Sequence, residues 1–159
     1  ANPTYSCWKP RMPATPFQIR NPAYAEQLRA FLPTMPIVRA LGLRFVRIEP
    51  GEVELEMPFA DAWSFRPGQF QATPMFAVAD FAGVTAAGTL LAEGWTLSTV
   101  DVTLKIVGPA LEGPLRAVGR VVKAGRLLTV SSAEVWGIDG EGESLCATAL
   151  VTARNIPPA

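Results

Sequence analysis

Residues 71–88 read QATPMFAVADFAGVTAAG, and Asp80 is the only charge in an apolar run from Thr73 to Leu91. A carboxylate set among apolar side chains loses its hydration, which is expensive without a partner. Buried acids without a role are rare, so a general base or a nucleophile is the functional expectation. The alternative is a structural acid bonded to a neighbouring hydroxyl or to a second chain. The choice of helpers is narrow, because the sequence contains no histidine. That removes Ser-His-Asp and Cys-His catalysis, imidazole proton transfer and histidine-ligated zinc. Two cysteines, Cys7 and Cys146, are too few for a thiolate metal site and read as reduced thiols rather than a disulfide. Neither a P-loop nor a GxGxxG fingerprint occurs. Acid–base chemistry must come from carboxylates, lysines, tyrosines or the backbone.

The element that positions Asp80 is a helix. Thr73-Pro74 reads as a start, a hydroxyl cap followed by a proline whose fixed φ suits the first helical position. From Pro74 to Leu91 apolar residues occupy every face, which predicts an enclosed helix with Asp80 about two turns inside it.

The surrounding chain must enclose that helix. Its 159 residues suit one domain with a real core, and 49% hydrophobic against 18% charged residues describe a globular protein. Fourteen basic and fourteen acidic residues balance, with no basic patch for nucleic acid. No run is long enough to span a bilayer, and residues 1–20 lack the apolar core of a signal peptide, so a cytoplasmic protein is expected. Prolines 3, 10, 13 and 16 make residues 1–21 an extended arm, with a single domain over residues 22–159. A short helix opened by Pro22 and ended by Pro33 precedes another around MPIVRALG, which stops at Gly42.

Strands follow. LRFVRIE and EVELEMPF flank a turn, with Val53, Leu55 and Met57 alternating against Glu52, Glu54 and Glu56. A loop over residues 60–71 leads into the helix. Beyond Gly94, TLSTVDVTLKIV predicts Val100, Val102, Leu104 and Ile106 on one face, with Asp101, Thr103 and Lys105 opposite. GPLRAVGRVVKAG places Arg116 and Arg120 outward, and LLTVSSAEVWGID pairs with ESLCATALVTARN across DGEG. The fold expected is α+β: an antiparallel sheet of about five to six strands wrapped around one long central helix. One helix cannot cover such a sheet completely, so a homodimer or a dimer of dimers is expected.

This order of elements resembles the hot-dog-fold acyl-CoA thioesterases of the PaaI-like group, over residues 37–155. The resemblance rests on the "AD" aspartate nine positions after Gln71, on STVDVTLKIVGPA after the helix, and on the basic turn KAGRLLTV. The group commonly carries His-Gly-Gly at the helix entrance, where this chain has Gln71-Ala72-Thr73, and some relatives carry an asparagine where Phe65 stands. The resemblance implies acyl-CoA thioester hydrolysis, with Asp80 as base or nucleophile and no metal or bound cofactor beyond the coenzyme A of the substrate. It implies a main-chain donor at Ala72 and a hydroxyl at Thr99, which the family often takes from the partner subunit.

Gln71 is read either as a hydrogen-bond partner of the thioester or of water, or as a helix-entrance residue held by backbone bonds. Phe65, Phe70, Met75 and Phe76 are candidates for the acyl pocket, with core packing as the alternative. Lys123 and Arg126 are candidates for the coenzyme A phosphates, with solvated turn charges as the alternative. Trp63, Trp95 and Trp136 read as packing. A non-catalytic acyl-CoA-binding protein is the second functional reading, and a structural assembly module the third.

Overall fold

The computed structural model describes residues 17–159; Cys7 and most of the expected arm lie outside the described residues. Asn21 accepts from the Ala23 N–H at 3.1 Å and leads into α1, Tyr24–Phe31. Pro33 does not end that helix outright but sits in a 3-10 turn, Leu32–Thr34. Then comes α2, Pro36–Leu41, stopped by Gly42 at φ 65°, a left-handed position that glycine takes without strain.

The sheet has six antiparallel strands: β1 (Arg44–Glu49), β2 (Glu52–Met57), β5 (Thr96–Ile106), β6 (Leu115–Ala124), β7 (Leu128–Asp139) and β8 (Gly142–Ile156). Their order across the sheet is β1-β2-β6-β7-β8-β5. The expected loop at residues 60–71 contains a small hairpin, β3 (Ser64–Arg66) with β4 (Gln69–Phe70). Alternation gives the sheet one apolar face: Val53, Leu55 and Met57 are fully buried against the helix. On the convex face the intervening glutamates and arginines share partners. Arg44 pairs with Glu56, and Arg47 bridges Glu52 and Glu54. Arg116 bridges Glu54 and Glu143, while Arg120 bridges Glu52 and Glu134.

The concave face holds α3, Ala72–Gly88. It approaches the sheet closely at two glycines. A Cβ on Gly119 would collide with the Ala82 carbonyl, and one on Gly83 would lie 2.6 Å from Val151 Cγ2. Side chains at those points would push the helix off its floor.

Three expectations need correction. The helix starts and ends earlier than Pro74–Leu91. Gln71, not Thr73, is its N-cap, because the Gln71 side-chain oxygen accepts from the Thr73 N–H. At the other end Leu90 and Leu91 fold into tight turns onto Ala87 and Gly88. The helix is apolar all round but not enclosed. Thr73 and Phe76 are exposed, and Ala77, Asp80, Phe81 and Val84 only half-buried, which leaves one stripe uncovered in the single chain. Finally, β5 does not alternate evenly. Its pairing with β8 slips between Thr99 and Asp101, leaving Val100 as the extra residue. Val102 and Leu104 face inward as expected, but before the slip the inward positions are Leu97 and Thr99, and Val100 and Ile106 are exposed. A β-bulge reverses the phase of the residues before it, and alternation alone cannot reveal that.

Candidate active site

The entrance to α3 is fixed by the small hairpin. The Gln71 N–H donates to the Trp63 carbonyl at 2.9 Å and the Phe70 N–H to the Ala110 carbonyl at 2.9 Å. Phe70 then drops into the core, 2% exposed, with its ring edge-on to Phe59 at 4.9 Å between centroids. Gln71 thus takes the helix-entrance role, as an exposed residue whose side-chain oxygen caps the first turn. First-turn N–H groups of a helix lack intrahelical partners and carry the positive end of the dipole. Here the side chain of Gln71 occupies the Thr73 donor and Pro74 has none, so Ala72, exposed at the first helical position, offers the outermost donor.

Asp80 sits two turns further along, on the uncovered stripe. The Thr99 hydroxyl donates to its Oδ1 at 2.9 Å. The bulge at Val100 makes this possible: counted back from Val102 in an even strand, Thr99 would face the convex side. Desolvation by burial pushes the Asp80 carboxyl above its ordinary value, and the Thr99 hydroxyl draws it part of the way back. The outcome is a half-buried carboxylate with one oxygen held by a donor and the other without a partner among the described residues. Such a group can polarise water or attack an acyl carbon.

Asp80 and Thr99 come together within one chain, an acid bonded to a neighbouring hydroxyl as the structural alternative also describes; Thr99 does not need to arrive from a partner subunit to reach Asp80. The proposed acyl-pocket residues divide. Phe70 and Met75 are core residues, the latter 4% exposed, because the hairpin and the first turn point them into the sheet. Phe65 and Phe76 are exposed, and Arg66 stacks over the Phe65 ring at 5.3 Å. Arg126 lines a cavity at the far end of α3, whereas Lys123 stands exposed on β6 and does not. Trp63 packs on the core as expected. Trp95 lines the Arg126 cavity and Trp136 lies on the convex face beside Arg116, so packing does not describe their positions fully. Among the described residues, no group of three or more histidine, cysteine or carboxylate side chains gathers as a metal site would require.

No protein-family model matches the chain, and neither does any curated protein. Solved structures do. A thioesterase family protein from Silicibacter pomeroyi is 30% identical, covering 84% of this chain and 98% of its own, with a TM-score of 0.81. This chain belongs to the thioesterase family. A phenylacetic acid degradation-related protein from Ralstonia eutropha shares 26% identity over 82% of this chain and 98% of its own, at a TM-score of 0.72. A thioesterase from Haemophilus influenzae, 22% identical over 89% of this chain and 92% of its own, agrees in fold at a TM-score of 0.71. The helix and its wrapping sheet are the hot-dog arrangement of this thioesterase family. Among the described residues, no helix is long and apolar enough to cross a membrane.

Proposed function

We propose that this thioesterase hydrolyses acyl-CoA thioesters, with Asp80 as the base that activates water or as the attacking carboxylate. The observation that carries the reading is the Thr99–Asp80 pair on an uncovered stripe of an otherwise buried helix. Burial raises the basicity of the carboxylate, and the Thr99 donor fixes its orientation. The developing oxyanion needs N–H donors, and Ala72 offers one at the positive end of the helix.

One chain is not enough. Asp80 and the Ala72 N–H lie on one helix, about 12 Å apart along its axis at ~1.5 Å per residue. A single acyl carbon cannot touch both. We therefore assign the working unit to a homodimer in which Asp80 of one protomer faces the α3 entrance of the other. The exposed Phe76 and half-buried Phe81 beside Asp80 would then become covered apolar surface.

Complementation tests both parts. Ala72→Pro deletes the N–H at a position that tolerates proline, and the extended Gln71 before it is compatible with that change. Alone, it is expected to lower turnover by ~100-fold or more, the scale of a lost oxyanion donor. Mixed with Asp80→Asn subunits, it should regain activity, because each heterodimer then holds one intact site. If the mixture stays as inactive as its components, the shared site is refuted.

A second reading is favoured by the entrance itself. The Thr73 donor is occupied and Pro74 has none, which reduces the oxyanion donors. A chain that bound acyl-CoA without turnover would fit that loss, and a hydrolysis panel of acyl-CoAs separates the two.

A further inference from the structure

A groove of about 400 Å³ lies between α1, α2 and the start of β1. That is the edge of the sheet opposite β5, whose Thr99 holds Asp80. The groove falls within the range of about 300–1,000 Å³ usual for small-molecule sites. Its floor is apolar. Leu32 and Val38 are each 4% exposed, and Leu43 and Phe45 are half-buried against the main core. Three arginines, Arg29, Arg39 and Arg44, line it, and no acidic residue does. Arg44 is held by Glu56. Arg29 and Arg39 make no ion pair among the described residues, unlike the arginines of the convex face.

Arg39 is also fixed in place. Its Nη1 donates to the Pro33 carbonyl at 3.0 Å and to the Thr34 carbonyl at 2.9 Å. That clamp uses one nitrogen of the guanidinium and leaves Nε and Nη2 without partners among the described residues. Those two nitrogens present the parallel N–H pair that matches the two oxygens of a carboxylate. Two helices end beside the groove, and a helix C-terminus ordinarily repels anions. Here the last carbonyls are engaged. Phe31 accepts from the Thr34 hydroxyl at 2.6 Å, Leu32 from the Met35 N–H, and Val38 and Arg39 from the N–H groups of Leu43 and Gly42. The chain ahead of Phe17 has no acid to offer the arginines, since residues 1–16 contain Lys9 and Arg11 but neither aspartate nor glutamate.

We propose that this groove is a binding site for an aliphatic carboxylate, separate from the Asp80 centre. The acid would sit on the Nε and Nη2 edge of Arg39 with Arg29 beside it, and its tail would lie on Leu32, Val38 and Phe45. Such a ligand answers both halves of the lining. A neutral chain leaves the arginines uncompensated, and a small anion leaves the apolar floor wet. The assignment does not depend on the acyl-CoA reading above.

Methyl resonances of Leu32, Val38 and Leu43 in the full chain, followed by NMR, read the groove directly and need no turnover. Decanoate, acetate and decyltrimethylammonium serve as probes: both halves, the head alone, and the tail with the opposite charge. Decanoate is expected to shift the three residues saturably, and the other two probes to bind at least roughly tenfold more weakly, the scale of a lost charge-assisted bond. Arg29→Ala should weaken decanoate by a similar factor. So should Arg39→Lys, which keeps the charge and a donor for the Pro33 and Thr34 carbonyls but loses the planar fork. Asp80→Asn should bind decanoate unchanged, even if wild type and variant prove equally inactive on thioesters. The proposal is overturned if decanoate leaves these methyls unmoved, if either other probe binds as tightly, or if both arginine variants bind like the wild type. Loss of the shifts in Asp80→Asn would equally overturn it, by making the groove part of the Asp80 centre.

Discussion

The two ends of α3 are made from the same kind of apolar sequence and finish in opposite conditions. From Ala72 to Asp80 the helix keeps an exposed edge, with Phe76 at 43% exposure and a carboxylate whose second oxygen has no partner among the described residues. From Thr85 to Leu91 every residue is buried and the last-turn carbonyls are taken. A closed end contributes stability; an open end is left unfinished until a substrate or a second protomer arrives. Changes at the first should register in turnover, and changes at the second in folding.

The largest separation is expected at Asp80. Asp80→Asn keeps the shape and removes the charge, so acyl-CoA hydrolysis should fall by ~100-fold or more while the fold persists. Because the folded carboxyl titrates above its unfolded value, ionising it costs stability as pH rises through that raised value. The variant should therefore melt at or above the wild-type temperature at neutral pH. That advantage should vanish on acidification below the ordinary aspartate range. A variant that hydrolysed thioesters normally would collapse the contrast between the two ends.

Thr89→Val is the converse experiment. The hydroxyl accepts from the Gly51 N–H at 2.7 Å in a buried setting, and valine would leave that donor unsatisfied. Chemical denaturation should show a loss of about 1–3 kcal/mol, with turnover at saturating acyl-CoA unchanged under folding conditions. A turnover defect with full stability would reverse the assignment.

The smallest effect is the most specific. Thr99→Val removes the donor to Asp80, and without it the neutral carboxyl is favoured further. The acid limb of the kcat/KM profile should move to higher pH, with a loss at its plateau of roughly tenfold, the scale of one hydrogen bond to a charged group. If the limb stays in place, Thr99 does not tune the base.

Much of this was legible in the chain. The strand pair, the helix and the four later strands follow from alternation and from one long apolar run, because a one-sided sheet must bury its apolar face. Asp80 stood out for being the lone charge in that run. What escaped depends on contacts between distant segments. The slip at Val100 is a feature of pairing with β8, so nothing within TLSTVDVTLKIV announces that Thr99 turns inward. Phe70 and Phe65 are both aromatic residues near the entrance, yet a two-strand hairpin sends one to the core and one to solvent. The cavity at Trp95 joins residues from the start, middle and end of the chain, a convergence that no local pattern encodes.

The convex face carries a consequence for how this protein can change over generations. Arg47, Arg116 and Arg120 each hold two glutamates, and Glu52 and Glu54 are each held by two arginines. Loss of Glu134 or Glu143 leaves its arginine with a second acid, so the first replacement is buffered and the next is felt more, as neighbouring substitutions do not add. That surface can drift one residue at a time while the concave side, where glycines touch the helix, stays still.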